Sequence, residues 1–390
     1  MMSTKVDTQN LIRTAKEIFP DDELFERYED ELLVLFNEHG FGGSSVTRDL
    51  MDGSPEIPIP SFNLGINQHI QCDDHQKTMK VKAPITSSDD QVKPLRREVH
   101  EWSLTAFDRP EDFVYASETG ETVTQAIIET LVATMNVDGR VINGWVDVLN
   151  YEEVFRSPSS PQRFFFKTNI LADGVTFYYM HDFNKRFELF HRNLRWAANN
   201  NEDAVNMKNL NMVFFPLSRG SQLYCVVLNL KTPSVEIIDS SARDGQIDDV
   251  YDYDVSILQT MMIRHLKLLA HCAGELLEGV EQKRLEMTWR TKNDRINSGV
   301  FLMRHMETYM GEAGRRWNAG LDKEGQTQLR QLAILRKKYT AKMVLSDNNK
   351  RKGFVESYIA RFNALDKASR GQIAERADTT RRQRLRSIIF

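Results

Sequence analysis

Three closely spaced apolar segments constrain the fold of this chain more than any other feature. They lie at residues 211–216, 223–230 and 235–239 and consist largely of Val, Leu, Ile, Phe and Tyr. The sequence Lys-Thr-Pro-Ser at 231–234 supplies a turn before the last of them. Apolar runs with connections this short predict three consecutive antiparallel strands, a meander that is buried on at least one face.

Helical patterns stand on both sides of the meander. Apolar residues recur at helical spacing over 123–149, with a break at Asp138-Gly139, and again over 255–277 and 299–310. The segment 164–166 (Phe-Phe-Phe) begins either a strand or a buried helix. Because strands and helices occur in blocks without strict alternation, the sequence predicts an α+β fold.

The chain divides into four predicted regions. Residues 1–40 carry two short apolar stripes and are predicted to form a helical pair, either a small satellite core or a partner-binding element. Residues 41–98 contain clusters of Gly, Pro and Ser and are predicted to be a flexible linker. The main domain is expected at 99–365, and a basic C-terminal arm at 366–390.

Composition excludes several classes of protein. Of the 390 residues, 41% are hydrophobic and 27% are charged, which excludes a disordered or fibrous chain. No apolar run approaches the length that spans a bilayer, and the first residues lack the apolar core of a signal peptide. Three cysteines fit a reducing compartment, so we expect a protein of the nucleus or cytoplasm rather than a secreted one.

Basic residues are concentrated at the C-terminal end. Residues 331–390 hold 15 Lys/Arg against 5 Asp/Glu, a balance of +10, whereas the preceding 330 residues carry −14. Clusters at 350–352 and 381–386 are typical of nuclear import signals or of non-specific phosphate contacts, and an arm without a role is the remaining alternative. The acidic body argues against a dedicated nucleic-acid-binding domain.

No common catalytic or metal-binding signature is present. The sequence contains no Walker loop, GxGxxG, GxSxG or HExxH motif. Cys72 and His75 are metal-ligand types, but no second pair follows at zinc-finger spacing, so we predict no metal or other cofactor. His265 and His271 lie among Met, Leu and Ile and are expected to be core or surface histidines.

Four segments, in the same order, resemble the ubiquitin-like-protein-specific (SUMO) cysteine proteases. Phe215-Pro216, the strand at 223–230 and Glu-Ile-Ile-Asp-Ser at 236–240 are similar to that family's "FP…HW-strand-turn-DS" pattern. The segment 297–307 (Asn-Ser-Gly-Val-Phe-Leu-Met-Arg-His-Met-Glu) looks like "DCGVFxxxxME", and 141–149 is similar to "VIN…LL". The segment 335–348 fits the "LRxKYxxKxLLSDxN" helix of the plant, transposon-derived branch.

The resemblance implies both a fold and an activity. The fold would be that of a papain-like (adenain/Ulp-type) cysteine protease, with a central, mainly antiparallel sheet flanked by helices over residues 99–365. The activity would be that of a cysteine-type peptidase or isopeptidase, with SUMO or its conjugates as partners. Such enzymes use a thiolate at a helix N-terminus, a histidine base held by an aspartate, a glutamine that stabilises the oxyanion, and two tryptophans over the substrate tail.

Only one of these functional residues is matched in this sequence. By the resemblance, the aspartate is Asp239, whereas the other positions hold different residues: the histidine is replaced by Gln222, the nucleophile by Ser298, the oxyanion glutamine by Lys292, and the tryptophans by Leu223 and Asn136. A Cys→Ser exchange at 298 alone would leave the other four departures unexplained.

The departures predict a protease fold without protease chemistry. A serine hydroxyl needs a general base, and the amide of Gln222 does not titrate near neutral pH. His305 lies seven residues after Ser298, about 10 Å further along a helix and beyond hydrogen-bond reach. We therefore expect a pseudoenzyme that retains at most a protein-binding role. The alternatives are an active isopeptidase that uses Ser298, and a nuclear interaction protein whose basic tail contacts nucleic acid.

Overall fold

A five-stranded sheet with helices packed on both faces forms the centre of the molecule. The structure is a computed structural model that describes residues 110–131, 135–171, 182–198, 201–292 and 294–389. The predicted helical pair at 1–40, the linker at 41–98 and the pair Cys72 and His75 lie outside the described residues.

The central sheet contains its strands in chain order: β3 (Arg163–Phe165), β4 (Met212–Arg219), β5 (Gln222–Asn229), β6 (Ser234–Ile238) and β7 (Gln282–Arg284). A separate two-stranded sheet pairs β1 (Phe113–Ala116) with β2 (Thr122–Thr124).

The central sheet is mixed, so the expectation of a mainly antiparallel sheet is confirmed only in part. β4, β5 and β6 form the predicted antiparallel meander. The two outer pairs, β3 with β4 and β6 with β7, are parallel. The reason lies in the connections, since helices separate β3 from β4 and β6 from β7, and a crossover of that length joins parallel strands.

The described helices are, in chain order, α1 (Gln125–Ile128), α2 (Gly139–Glu153), α3 (Phe183–Ala197), α4 (Glu202–Asn206), α5 (Ile247–Tyr251), α6 (Asp254–Leu268), α7 (Ala273–Leu276), α8 (Ser298–Thr308), α9 (Gln326–Val344), α10 (Lys352–Asn363) and α11 (Lys367–Ile389). No helix of the described part is long and apolar enough to cross a membrane.

Successive residues of the central strands face two separate hydrophobic cores, as the two-residue period of a strand requires. Phe214, Val227 and Ile238 face the core that α2, α8 and α9 share. Phe215 and Val226 face the second core, which α3 and α6 cover. The sheet is therefore buried on both faces, and this accounts for the continuous apolar runs in its sequence.

Two predicted helices differ from the observed ones in detail. The segment 123–149 starts in β2 and α1, and the predicted break is confirmed because Asp138 caps α2, its carboxylate accepting from the Arg140 N–H at 2.8 Å. The segment 255–277 is divided into α6 and α7, since Ala270 between them adopts a left-handed φ of 50°.

The C-terminal helices pack against the first core. Val355, Ile359 and Phe362 of α10 are buried, as the periodicity of the sequence predicts. The region expected to be a basic arm forms α11, in which Ala377 is buried and Ile373 packs against the core.

Candidate functional site

Three positions singled out in the sequence meet at the start of β5. Asp239 follows the last residue of β6, one step beyond the pair formed by Cys225 and Ile238. The Gln222 side-chain amide donates to Asp239 Oδ1 at 2.9 Å. Ser298 begins α8, and its hydroxyl donates to the main-chain carbonyl oxygen of Ser221 at 3.1 Å. The sheet thus joins Gln222 to Asp239, and the first residue of α8 contacts the main chain next to Gln222, 77 residues away in the sequence.

All three side chains are buried. Gln222, Asp239 and Ser298 are 4%, 1% and 2% exposed, respectively. The hydroxyl at the expected nucleophile position is therefore almost completely removed from solvent.

Asp239 is surrounded by hydrogen-bond donors. Besides the Gln222 amide, the Ser241 N–H donates to Oδ1 at 2.8 Å, and the Tyr251 hydroxyl donates to Oδ2 at 3.0 Å. Burial raises the pKa of Asp239, and these hydrogen bonds and the positive charge of Arg290 oppose that rise. In this arrangement the NH₂ group of Gln222 faces Asp239.

An arginine from α9 fixes the start of α8. Arg336 donates to Asn297 Oδ1 through Nε at 3.0 Å and through Nη2 at 2.8 Å. It also donates to the carbonyl oxygens of Thr130, Met135 and Ile296, at 3.0–3.1 Å. Burial lowers the pKa of Arg336 to about 10.

Sequence reasoning missed Arg336 and Tyr251 as supports of this site. Arg336 lies within the segment 335–348 that fits the family helix, and this was the available signal. Tyr251 lies in a short helix, and no motif pointed to its contact with Asp239.

Leu223 and Val137 cover the first turn of α8. A Cβ atom placed on Gly299 would lie 2.6 Å from Val137 Cβ and 3.2 Å from Leu223 Cδ1, so the two side chains pack directly on the glycine. Leu223 is 9% exposed, and Asn136, which precedes Val137, is exposed. At the two positions where the resemblance implies tryptophans, this chain therefore has a buried leucine, Leu223, and an exposed asparagine, Asn136.

Lys292 lies on the loop before α8 and is exposed. Its main-chain N–H donates to the carboxylate of Glu324 at 3.1 Å. At the position that the resemblance assigns to the oxyanion glutamine, the chain thus has an exposed lysine.

His305 is engaged elsewhere in the core. It is 1% exposed, and its Nε2 accepts a hydrogen bond from Trp289 Nε1 at 3.0 Å. Burial, assisted by the charge of Arg304, lowers the pKa of His305 to about 3. The ring is accordingly neutral at physiological pH and carries its proton on Nδ1.

The site has limited chemical capability. In the described part of the chain, the hydrogen-bond partner of the Ser298 hydroxyl is a carbonyl oxygen, which accepts but is no general base. The groups that contact Asp239 are an amide, a main-chain N–H and a phenol. No group of three or more His, Cys, Asp or Glu side chains that could hold a metal ion occurs among the residues described.

Comparison with known proteins gives similarity of fold at low sequence identity. No protein-family model matches the chain, and no curated protein matches it. Among solved structures, the C-terminal Ulp1 protease domain in complex with the yeast orthologue of SUMO is 14% identical, with a TM-score of 0.45 over 68% of this chain and 98% of that one. The Chaetomium thermophilum Ulp1-like SUMO protease catalytic domain is 15% identical, with a TM-score of 0.46 over 68% of this chain and 94% of that one.

Ulp1 with its catalytic cysteine oxidised to a sulfenic acid is 12% identical and has a TM-score of 0.43, over 67% of this chain and 96% of that one. Likeness at this level does not extend to function, which has to be argued from the residues themselves.

Proposed function

We propose that this domain is a catalytically inactive relative of the SUMO-type cysteine proteases and retains at most a binding role towards a ubiquitin-like protein. The observation that carries the proposal is the contact between Gln222 and Asp239. Gln222 and Asp239 are 17 residues apart, which is the separation of the histidine and the aspartate in the family that the sequence resembles. A 2.9 Å hydrogen bond joins the two side chains. An amide therefore lies where an imidazole would have to move a proton.

The groups available for proton transfer support inactivity. A serine attacks a carbonyl carbon only if a base removes its proton, and that base must return the proton to the leaving amine. The amide of Gln222 can do neither near neutral pH. Loss of one member of a catalytic triad costs roughly 10⁴ to 10⁶ in rate, and further losses within the same unit add little.

Access to the hydroxyl supports inactivity independently. A scissile carbonyl has to approach a nucleophile to about 3–3.5 Å before reaction. Ser298 is 2% exposed, and the next residue, Gly299, is covered by Val137 and Leu223. The first turn of α8 is therefore closed to a substrate chain in this conformation.

The proposed binding role rests on the resemblance of the motifs. A ubiquitin-like protein such as SUMO is the partner that the resemblance implies. Leu223 and Asn136 replace two tryptophans that would enclose a Gly-Gly tail. We therefore expect weak binding that does not depend on that tail.

Turnover is tested with the full chain. Incubation with a SUMO precursor and with an electrophilic SUMO probe should give neither cleavage nor a covalent adduct. Turnover that Ser298→Ala abolishes, and that the matched control Ser357→Ala on the surface of α10 preserves, would contradict the proposal.

Binding is tested separately by calorimetry with mature SUMO and with SUMO that lacks its Gly-Gly tail. We expect equal and weak affinities for the two. A submicromolar affinity that requires the tail would show that this domain binds the tail although Leu223 and Asn136 replace the tryptophans. Such a result would contradict the expected weak binding.

A further inference from the structure

Two arginines with unused hydrogen-bond donors lie beside Tyr251. Arg284 ends β7 opposite Ile237, and its guanidinium carbon is 5.3 Å from the centroid of the Tyr251 ring. Arg290 donates through Nε to the carbonyl oxygen of Ser241 at 3.0 Å. Both arginines act electrostatically on Tyr251, so the two positive charges share one neighbourhood.

The unused donors are numerous and are shielded from solvent. Arg284 Nη1 donates a hydrogen bond to the carbonyl oxygen of Arg243, at 2.5 Å. Arg284 Nε, Arg284 Nη2 and Arg290 Nη2 are buried and have no hydrogen-bond partner in the described part of the chain. Each carries at least one N–H, and leaving a buried charged donor without an acceptor is costly.

The free atoms have the arrangement that recognises an oxyanion. Nε and Nη2 form one edge of a guanidinium, and the parallel N–H bonds of such an edge hold a carboxylate or phosphate in a bidentate manner. On Arg284 this whole edge is free. A single water could satisfy part of the edge but would leave the charge unbalanced.

The surrounding charge also favours an anion. The carboxylate of Asp239 interacts electrostatically with Arg290, and its oxygens already accept from Gln222, Ser241 and Tyr251. The hydrogen-bonding capacity of this carboxylate is therefore largely used by other donors. The loop at 241–243 adds carbonyl groups that orient the arginines and supplies no negative charge of its own.

We propose that Arg284 and Arg290 form a binding site for a small oxyanion, a phosphate or a carboxylate, under the loop at 241–243. The Arg284 edge would hold two oxygens of the ion, and Arg290 Nη2 would donate to a third oxygen or share one of these. The site does not involve Ser298 and stands whether or not the domain is catalytically active.

The test uses calorimetric titration of the full chain with inorganic phosphate and, in a second arm, with acetate, both against chloride at constant ionic strength. We expect saturable binding of at least one oxyanion and a rise in the unfolding temperature that saturates with it. The arm that binds more tightly identifies the source as a phosphate or a carboxylate.

Arg284→Lys keeps the positive charge but removes the bidentate edge, and we expect it to weaken binding about tenfold or more. Lys283→Met, an exposed neighbour on β7, is the matched control and should bind like the wild type. Arg290→Met provides a second variant of the site, with the same expected weakening.

The wild-type titration decides on its own if a variant fails to fold, because absence of saturable binding in both arms would overturn the proposal. Binding that persists unchanged in folded Arg284→Lys and Arg290→Met would mean an adventitious ion only, and would overturn it equally.

Discussion

At Gln222 a single side chain changes what the aspartate next to it can do. In a triad, the carboxylate orients an imidazole and stabilises its charged form. Here Asp239 holds an amide that never becomes charged, together with the Tyr251 hydroxyl. The carboxylate has become part of a closed set of hydrogen bonds, and the Ser298 hydroxyl has joined a second set through the Ser221 carbonyl.

Restoring the two reactive groups should restore a reactive thiol. In a background with both Cys72→Ala and Cys272→Ala, in which Cys225 is the only native cysteine left, Ser298→Cys should alkylate slowly. Addition of Gln222→His should accelerate alkylation at pH 7 about tenfold or more, because an imidazolium beside a thiol lowers the pKa of the thiol. Rates of iodoacetamide modification, followed by mass spectrometry, measure this.

The remaining cysteine serves as an internal reference in that experiment. Cys225 is buried, and burial raises the pKa of its thiol. It should stay unmodified in all variants. Equal alkylation rates with and without Gln222→His would mean that positions 222 and 298 are not within reach of each other in solution.

Two buried histidines should make stability depend on pH. Burial lowers the pKa of His265 to about 4 and that of His305 to about 3, from an ordinary value of 6.5. Between pH 6.5 and 4 the unfolded chain therefore takes up protons that the folded chain does not. The free energy of unfolding decreases as the pH is lowered through this window. Each histidine contributes up to about 1.4 kcal/mol per pH unit in this window, and nothing above it.

Urea denaturation between pH 7 and pH 5 measures this effect. The raised pKa values of Asp239 and Glu236 act in the opposite direction, so the difference between wild type and His305→Gln isolates the histidine. The variant should lose part of the acid-induced destabilisation. Parallel stability curves for the two proteins would show that His305 is not buried in its neutral form.

Among the elements, the strands of the meander could be predicted, whereas the edges of the sheet could not. β4, β5 and β6 are apolar on both faces, and this pattern is visible in the sequence. β7 consists of Gln-Lys-Arg, and only its pairing with β6 makes it a strand. A three-residue strand defined by its neighbour carries no periodicity of its own, so the mixed sheet could not be foreseen.

The candidate site was predictable to the same extent. The spacing of the motifs singled out Gln222 and Asp239, which share a hydrogen bond, and Ser298, which contacts the main chain next to Gln222. The supports of the site come from distant segments: Arg336 reaches carbonyl oxygens that lie up to 206 residues away in the sequence. Such contacts depend on tertiary packing and leave no local pattern.

The first turn of α8 offers a test of this packing. Gly299→Ala would place a methyl group 2.6 Å from Val137 Cβ, and overpacking of this kind costs about 1–3 kcal/mol of unfolding free energy. Combination with Val137→Gly, which removes the Cβ atom in contact, should cost less than the sum of the two single changes. Chemical denaturation of the single and double variants measures the coupling.

Gly353→Ala is the matched control for that pair. It lies in α10, and a Cβ placed there would meet no atom within 4 Å. Because alanine is a better helix former than glycine, this change should raise stability by about 0.5–1 kcal/mol. If Gly299→Ala raised stability as Gly353→Ala does, Val137 and Leu223 would not cover the helix.

For the molecule as a whole, α9 attaches the C-terminal third to the site. Arg336 fixes the start of α8, and the Tyr339 hydroxyl donates to the Glu307 carboxylate at its end, at 3.2 Å. The ammonium group of Lys342 lies 4.9 Å from the centroid of the Trp145 ring on α2. The segment that fits the family helix therefore holds α8 and α2 in place. Its resemblance to the family bears on the fold and not on catalysis.

The tip of α11 is distinguished by its charge. Ala377 is buried, and residues 378–390 carry four arginines and one aspartate. If the tip contacts phosphates, deletion of 378–390 should weaken retention on DNA and reduce the slope of log affinity against log salt by up to about 4, because each neutralised phosphate contributes about 0.9.

The same deletion should lower nuclear accumulation of a fluorescent fusion if the cluster at 381–386 is an import signal. An unchanged salt slope together with unchanged nuclear accumulation would leave the basic tip without either role.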